Sequence, residues 1–447
     1  MLLANLKKIA ALNGQPLESL REMTRVAIDS RQVKPKTLFF ALPGKKVDGH
    51  EFLAQVKARG GVAAVVAKEY RGPTYGLALL PVQDVKQVLH TLAKAVHEQR
   101  KQPVIGVTGT VGKTTVKEFI VTLLEERLCV GKTPGNANSQ LGLPVALIND
   151  PGQAEVFVLE MGMSFPTEIS RLVEIAPPDI GVLTQVSLVH AENFRSLEEI
   201  AAAKCELFAS PRLKRGFFCA PTLAFRPVQE LTCDKVIYSY RPSAESDYFF
   251  DVVAETITIC ERGKKSPQLQ MPIRASHLLE NALAAVSVAR HFGLTWGEID
   301  RGLKKLRPYH HRFETIERSG VLYIDDSYNA SPHAVKAALS NLPKSSGKTI
   351  AVLGAMKELG AFCEASHREI GIWAVDFVDC ALCLGKECQP LVRAFRASGK
   401  PAFLFTQLSE LKKSLDELAS AGDVVLIKGS CSLKMWTLLD APIRGIH

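Results

Sequence analysis

PVIGVTGTVGKTTVKEFIVTLLEERL, residues 103–128, is the stretch that decides the fold of this 447-residue chain. An apolar run of strand length ends at Thr108, and from Val116 onward apolar residues recur at helical spacing. A glycine-containing turn joins the two. Glycines let backbone N–H groups close around phosphate oxygens, and the N-terminus of the following helix adds a favourable dipole. The stretch therefore predicts a strand, a phosphate-binding turn and a helix.

We predict that seven consecutive residues surround the phosphates of a nucleotide: Gly109, Thr110, Val111, Gly112, Lys113, Thr114 and Thr115. Lys113 can reach the β- and γ-phosphates, and the hydroxyl of Thr114 suits a Mg²⁺ ligand. The spacing departs from the general G-x-x-x-x-G-K-[ST] pattern, because Val107 occupies the first glycine position. A chance glycine-rich turn is the alternative. The strand before it and the helix after it favour nucleotide binding.

Eight further apolar runs of strand length alternate with amphipathic stretches along the chain. They are TLFFAL (37–42), VAAVVA (62–67), EVFVLEMG (155–162), DIGVLTQV (179–186), VLYIDDSY (321–328), KTIAVLG (348–354), FVDCALCLG (377–385) and DVVLIKGS (423–430). Continuous runs of this kind are typical of parallel strands covered on both faces, so we predict an α/β fold. One helical face is expected over residues 84–100, from Val85, Val88, Leu89, Leu92 and Val96. A hairpin is expected around Glu261, Arg262 and Gly263.

Length and composition limit the protein class. At roughly 150 residues per domain, the chain should contain about three domains. We expect their boundaries near residues 83–102 and 307–314. The net charge of +9 suits anionic partners. The basic residues are interspersed with acidic ones, which favours phosphorylated small molecules over nucleic acid.

Targeting and cysteine usage point to the cytoplasm. No apolar run approaches the roughly 18 residues that a membrane helix needs. Lys7 and Lys8 interrupt the N-terminal apolar stretch, so we expect no signal peptide and a cytoplasmic protein. The ten cysteines are scattered, and the close pair Cys380 and Cys383 sits in a predicted strand, where residues three apart face opposite sides. We expect reduced, structural thiols.

Three residues beyond the turn complete a pattern with it. VLEMG places Glu160 at a strand end, TQVSLVHAENF places His190 after the next strand, and AAAKCELF places Lys204 on a helix. With the turn, these segments make the chain resemble the Mur ligases of bacterial cell-wall synthesis along nearly its whole length. The resemblance implies that Thr114, Glu160 and His190 hold Mg²⁺ and that Lys204 is carbamylated. A bare lysine would repel the metal, whereas its carbamate would bind it. Taken alone, Glu160, His190 and Lys204 would each be interpreted as a structural or solvent-exposed residue and not as a metal ligand.

The resemblance also implies the remaining nucleotide contacts. HLLENALAA (277–285) resembles the family's nucleotide-contacting helix, with His277 and Asn281 at the adenine. HRFE places Arg312 at a hinge, where it would meet the ATP phosphates. DDSYNASP (325–332) is the most specific match and implies contacts from Asp326, Tyr328 and Asn329. An acidic strand-to-helix turn with a capping side chain is the structural alternative.

Two further segments resemble the family's UDP-substrate surfaces. AIDSRQVKPKTLFFAL and GKKVDGHEF imply a uridine diphosphate pocket, and TPGNANSQLGLP (133–144) implies a substrate-side loop. The residues concerned are Ser30, Arg31, Asp48, Gly49, His50, Asn136 and Asn138. Turn chemistry alone is the alternative for both.

Six positions depart from the family pattern. Gln185 and Ser139 stand where asparagine is usual, Ser331 replaces an expected asparagine, and His311 replaces glycine. Ala355 stands where aspartate is usual, and Cys431 where arginine is common. Ala355 and Cys431 lie in the expected C-terminal domain, so they bear on the contacts with the amine substrate and not on the ATP chemistry.

The resemblance implies a three-domain ATP-dependent amide ligase of peptidoglycan synthesis. We expect a UDP-sugar domain at 1–83, a central ATP-binding domain with a parallel sheet at 84–312, and a Rossmann-like amine-substrate domain at 313–447. DDSYNASP favours ligation of D-alanyl-D-alanine to UDP-N-acetylmuramoyl-tripeptide through an acyl phosphate, by a monomer without nucleic-acid or membrane partners. The alternatives are another Mur ligase, a folylpolyglutamate-synthase-like ligase, or a non-catalytic nucleotide switch.

Overall fold

The computed structural model describes residues 23–44, 47–99, 101–189 and 191–439. These residues form three units, each built on a mostly parallel sheet with helices packed on it. All nine predicted strands are confirmed, each within a few residues of its expected position. Among the described residues, no helix has the length and apolar character needed to cross a membrane.

The N-terminal unit is a four-stranded parallel sheet in the order β1-β2-β3-β4. Its strands are β1 Arg25–Ala27, β2 Thr37–Phe40, β3 Gly61–Ala67 and β4 Ala78–Val82, with helix α1 at Leu53–Ala58. All four residues of β2 are buried, because α1 covers one face and the next helix covers the other.

The predicted helix after this sheet is confirmed as α2, Val85–Glu98, which begins where the Asp84 side chain accepts a hydrogen bond from the Gln87 N–H. Its five predicted apolar residues lie in one core.

A side-chain amide further along the chain also ties the sheet to the central unit. Asn149 accepts from the Val26 N–H at 2.8 Å and donates to the Val26 carbonyl at 2.9 Å. It thereby satisfies the open edge of β1 as a neighbouring strand would.

The central unit is a nine-stranded sheet in the order β13-β12-β11-β10-β9-β8-β5-β7-β6, parallel except for β11-β12 and β12-β13. Its strands are β5 Val104–Thr108, β6 Val130–Lys132, β7 Val156–Glu160, β8 Ile180–Leu183, β9 Arg215–Cys219, β10 Lys235–Ser239, β11 Tyr248–Val253, β12 Ile257–Glu261 and β13 Lys264–Lys265. The predicted hairpin is confirmed between β12 and β13. Arg262 and Gly263 form its turn with φ of 48° and 81°, the paired positive values of a tight hairpin turn.

Seven helices pack on the central sheet or extend from it. They are α3 Lys113–Leu124, α4 Gly142–Asn149, α5 Glu168–Ile175, α6 Leu197–Cys205, α7 Arg226–Gln229, α8 Ser276–His291 and α9 Trp296–Lys305. Helix α3 packs along α8, and ten residues of α8 are buried. This contact places the start of α8 beside the turn that is predicted to bind phosphate.

The C-terminal unit is a six-stranded sheet in the order β14-β15-β19-β16-β17-β18, antiparallel only between β14 and β15. Its strands are β14 Glu314–Arg318, β15 Val321–Asp325, β16 Thr349–Gly354, β17 Cys380–Leu384, β18 Ala402–Phe405 and β19 Val424–Lys428. Its helices are α10 Pro332–Leu339, α11 Cys363–Ala374, α12 Gln389–Arg396 and α13 Leu408–Leu418. The three sheets lie within residues 25–82, 104–265 and 314–428, and we propose 1–83, 84–312 and 313–447 as the domains.

All ten cysteines are free thiols. Cys380 and Cys383 are buried in β17, and burial raises the pKa of both thiols. They therefore pack as small hydrophobic side chains, as the sequence predicts.

Candidate active site

A cavity of about 630 Å³ lies between the central and C-terminal units, at the carboxyl ends of their parallel strands. This is where open α/β sheets usually bind ligands. Fifteen predicted site residues line it: Thr110, Val111, Gly112, Lys113, Thr114, Thr115, Asn136, Asn138, Glu160, His277, Asn281, Arg312, Asp326, Tyr328 and Asn329. The structure thus brings the predicted nucleotide residues, apart from Gly109, together with the substrate-side loop.

The turn between β5 and α3 has no room for side chains at its two glycines. Gly109 and Gly112 have φ of 147° and 86°. A Cβ on Gly109 would lie 1.9 Å from the Thr184 hydroxyl oxygen, and one on Gly112 would lie 2.7 Å from Asn281 Oδ1. The Thr110 N–H donates to the Gln185 carbonyl at 2.7 Å, which fixes the turn against the end of β8. Only glycine fits this close approach of backbone to neighbouring side chains.

The lysine of the turn folds back onto it. Lys113 Nζ donates to the carbonyls of Gly109 and Thr110 at 2.9 and 3.1 Å. Burial lowers the pKa of Lys113; the carboxylate of Glu160 opposes this shift, and the guanidinium of Arg312 adds to it. A phosphate group here would offset the cost of keeping these two cations together.

Arg312 reaches this turn from the segment that joins the central and C-terminal units. Its Nη2 donates to the Thr114 hydroxyl at 3.0 Å. Its guanidinium lies over the ring of Tyr328, 4.0 Å from the centroid, a favourable cation–π contact. The hinge arginine therefore connects the phosphate-binding turn with the DDSYNASP segment.

Glu160 ends β7 inside the cavity and is 1% exposed. Its Oε1 accepts a hydrogen bond from Asn138 Nδ2 at 2.7 Å, whereas its Oε2 has no hydrogen-bond partner. The nearest cation, Lys117 Nζ, is 4.0 Å from Oε2 and donates instead to the Thr133 carbonyl at 2.7 Å. A buried carboxylate oxygen in this state is costly unless a cation binds it. An oxygen donor of this kind suits Mg²⁺.

The other predicted metal ligands have different surroundings. Lys204 lies at the end of α6, is 3% exposed, and does not line the cavity. Burial lowers its pKa well below the usual value; the charge of Lys113 adds to this, and Glu206 opposes it. His190 lies outside the described residues.

One cluster of metal-ligating side chains occurs in the described part of the chain: His311, Glu314 and Asp325. The sequence predicted none of these three as a ligand. His311 Nδ1 donates to Asp325 Oδ2 at 2.6 Å, so these two groups are hydrogen-bonded to each other.

The far wall of the cavity contains a buried ion pair that the sequence analysis missed. Lys428, at the end of β19, donates to Asp326 Oδ2 at 2.6 Å, and the Phe313 N–H donates to Asp326 Oδ1 at 3.1 Å. Burial raises the pKa of Asp326, and Lys428 opposes that shift. Burial, with Lys428 nearby, lowers the pKa of His277 to about 3, so its imidazole is neutral. The position of Lys428 at the carboxyl end of a predicted strand could have identified it.

Lys117 and Glu280 are two further residues that the sequence analysis missed. Lys117 is fully buried and holds the substrate-side loop through the carbonyls of Thr133 and Gly135. Glu280 lines the cavity and accepts from Gln185 Nε2 at 2.8 Å. The side chain of Gln185, which stands where the family usually has asparagine, therefore has a hydrogen-bond partner within the site. Both residues lie within predicted helical stretches, where periodicity alone does not separate a buried ion from a solvated one.

The predicted uridine diphosphate residues lie apart from this cavity. Ser30, Arg31, Asp48, Gly49 and His50 belong to the N-terminal unit, and none lines the cavity. His50 uses both ring nitrogens within that unit: Nδ1 donates to Asp48 at 2.6 Å, and Nε2 accepts from the Ala67 N–H at 2.9 Å. A contact from its imidazole to a ligand would require one of these bonds to break. The role of the five residues in UDP binding stays a prediction.

Of the six positions that depart from the family pattern, four line the cavity and two do not. Gln185, Ser139, Ser331 and Cys431 line the cavity. Ser331 caps α10 by accepting from the Ala334 N–H. Ala355 is fully buried just after the end of β16. His311 lies in the hinge segment, residues 306–313 between α9 and β14.

Comparisons with known proteins agree with this architecture. Three family models match in order along the chain: Mur ligase family, catalytic domain, at residues 22–97; Mur ligase middle domain at 107–289; and Mur ligase, glutamate ligase domain, at 311–431. The UDP-N-acetylmuramoyl-tripeptide–D-alanyl-D-alanine ligase of Bacillus subtilis is 33% identical over 92% of this chain and 91% of its own. The chain belongs to the Mur ligase family.

Two further relatives of this Mur ligase cover nearly its full length. The Escherichia coli protein with the same ligase name is 29% identical over 96% of both chains. The crystal structure of MurF ligase from Thermotoga maritima in complex with ADP superposes with a TM-score of 0.79 at 28% identity, covering 94% of this chain and 97% of that one. That Thermotoga relative binds an adenine nucleotide.

The first prediction concerns nucleotide binding by this Mur ligase. Gly112→Ala should weaken ADP binding at least about tenfold, because the left-handed backbone costs an L-residue roughly 1–2 kcal/mol and the turn would relax away from its ADP-binding conformation. Isothermal titration calorimetry measures the dissociation constant. Gly297→Ala is the matched control, since a Cβ there meets nothing within 4 Å. Unchanged ADP affinity in Gly112→Ala would show that this turn does not bind the phosphates.

Proposed function

We propose that this Mur ligase joins D-alanyl-D-alanine to UDP-N-acetylmuramoyl-tripeptide with ATP, releasing ADP and phosphate. One observation carries the proposal: the phosphate-binding turn, the buried Glu160 and the substrate-side loop with Asn136 and Asn138 face one cavity. The names of the Bacillus and Escherichia relatives, and their near-complete coverage, support the choice of substrates.

The chemistry requires an activated acid, because a carboxylate is a poor electrophile. The terminal carboxylate of the tripeptide attacks the γ-phosphorus, the bond to the β–γ bridging oxygen breaks, and ADP leaves. The amine of D-alanyl-D-alanine then attacks the acyl phosphate carbon. The tetrahedral intermediate expels phosphate, and the amine proton passes to a base or to phosphate. Phosphoryl transfer depends mainly on positioning and on neutralising charge.

We assign the charge neutralisation to Lys113 and Arg312. Both are cations at the turn, and each now donates to groups of the turn itself. A phosphate that replaced these internal acceptors would gain two charge-assisted hydrogen bonds. When bound, Mg²⁺ would further neutralise the transferred phosphoryl group, held by Thr114, Glu160, His190 and a carbamate on Lys204.

The rest of the nucleotide fits along the wall formed by α8 and the DDSYNASP segment. We place the base near His277 and Asn281 and the ribose at Asp326, with Tyr328 and Asn329 alongside. Lys428 donates to Asp326 and opposes the rise in pKa that burial causes there, which favours a carboxylate that accepts from ribose hydroxyls. The uridine diphosphate end would lie on the N-terminal unit at Ser30, Arg31, Asp48, Gly49 and His50. Because the reaction consumes ATP, we propose a cytoplasmic enzyme. As a separate proposal, we expect it to act as a monomer.

The second prediction tests the substrates. With ATP and Mg²⁺ present, phosphate should be released only when both UDP-N-acetylmuramoyl-tripeptide and D-alanyl-D-alanine are added, because the acyl phosphate needs both an acid and an amine. A coupled phosphate assay with mass spectrometry of the product measures this. Lys113→Ala is the control and should lose roughly 10²-fold in rate. Equal phosphate release without either substrate would instead indicate a nucleotide switch or hydrolase.

Carbamylation of Lys204 is part of the proposal and has its own physical support. The neutral amine adds CO₂ and releases a proton, giving a carbamate anion. Burial and the charge of Lys113 lower the pKa of Lys204, which favours the neutral amine. The carbamate would also remove the repulsion between Lys204 and Lys113. A family resemblance suggested this group, and burial at 3% exposure is consistent with it.

The third prediction tests this carbamate. Lys204→Ala should be nearly inactive, and short carboxylic acids should partly restore turnover by occupying the vacated ligand position. Wild-type protein with isotope-labelled bicarbonate should also show a carbamate NMR signal, which Lys204→Ala lacks. Lys214→Ala is the matched control, since Lys214 is 74% exposed and pairs with Asp179 at 3.5 Å. Full activity of Lys204→Ala in bicarbonate-free buffer would rule the carbamate out.

A further inference from the structure

We infer that His311 is a positioning residue for Arg312: it holds the hinge segment so that the guanidinium reaches the phosphate-binding turn. The inference rests on the proposed function, because it assigns His311 a part in the same phosphoryl transfer. His311 itself does not line the cavity, although it contacts residues that do.

The backbone around Arg312 needs support from its surroundings. His311 and Phe313, on either side of Arg312, have φ of 59° and 60°. Residues other than glycine adopt this left-handed region at a cost, and keep it only where neighbouring contacts hold them. The conformation that points Arg312 at the turn is therefore imposed by tertiary contacts.

Four contacts of His311 provide this support. Its Nδ1 donates to Asp325 Oδ2 at 2.6 Å, and its N–H donates to Glu314 Oε2 at 3.2 Å. Its ring stacks on Trp436 with centroids 5.4 Å apart and planes at 25°. Its carbonyl accepts from the Tyr328 N–H at 3.1 Å. Both backbone polar groups and the imidazole are thus tied to the C-terminal unit.

The acceptor for the imidazole is itself fixed. Asp325 ends β15, is 1% exposed, and its Oδ1 accepts from both the N–H and the hydroxyl of Ser327. Its other oxygen, Oδ2, accepts the hydrogen bond from His311 Nδ1. A buried carboxylate held in this way presents one defined direction, so a donor attached to it is defined in turn.

The consequence for Arg312 is twofold. The His311 side chain fixes the backbone that carries the guanidinium, and the His311 carbonyl fixes the N–H of Tyr328, whose ring supports that guanidinium at 4.0 Å. Arg312 Nη2 then meets the Thr114 hydroxyl at 3.0 Å. Misplacing a catalytic group by about 1 Å can reduce a rate by roughly 10²-fold.

The fourth prediction separates positioning from simple structural support. His311→Gly tolerates the positive φ but loses the imidazole, so kcat should fall roughly 10- to 100-fold while KM for D-alanyl-D-alanine stays unchanged. His311→Asn keeps a donor at the place of Nδ1 and also tolerates positive φ, so it should recover most of the lost kcat. Ser319→Gly is the matched control, because Ser319 also has a positive φ, of 51°, and is exposed.

A double-mutant cycle with Arg312→Lys completes the test. If His311 acts through Arg312, His311→Gly should cost much less in the Arg312→Lys background than in the wild type. Additive losses, or a wild-type kcat in His311→Gly, would overturn the inference. A lowered melting temperature with normal kcat would show a purely structural role and would also overturn it. Absence of ligation in the wild type would instead contradict the proposed function.

Discussion

The close approach of the turn between β5 and α3 to its neighbours sets the geometry of the cavity. Gly109 lies against Thr184, and Gly112 lies against Asn281. These contacts bring the end of β8 and the start of α8 to the N-terminus of α3. Everything else in the cavity is placed relative to that point, including Glu160 on the neighbouring strand β7 and Arg312 from the hinge. A Cβ at Gly109 would meet Thr184 and the backbone nitrogen of Gln185, and both glycines have a positive φ that costs an L-residue energy.

Charge is the second constraint on the cavity. Lys113, Lys204, Arg312 and Lys428 place four basic groups at or close to it, and Lys428 has a close carboxylate partner in Asp326. Glu160 has one carboxylate oxygen without a hydrogen bond. Such an arrangement is costly alone and becomes favourable with phosphates on the cations and a divalent metal on the carboxylate. The protein can therefore direct binding energy toward the transferred phosphoryl group.

The sequence predicted the strands well because parallel strands covered on both faces are continuous apolar runs, as in β5, β7 and β19. It missed short or partly exposed strands such as β6 and β18, whose apolar runs are brief. Fifteen site residues were also predicted and line the cavity. Lys428, Glu280 and Lys117 were missed, because a buried ion pair depends on distant partners that periodicity does not reveal. His311 was noted only as a departure, and its pairing with Asp325 required the folded hinge.

The central claim is that the cavity activates a carboxylate as an acyl phosphate, and an isotope-transfer experiment tests it most directly. The tripeptide's terminal carboxylate is labelled with a heavy oxygen isotope at both oxygens, and the ligation is run to completion. The account predicts that one labelled oxygen appears in the released phosphate and the other stays in the amide carbonyl. Released phosphate without label would contradict it, because ATP would then have been cleaved without forming the acyl phosphate.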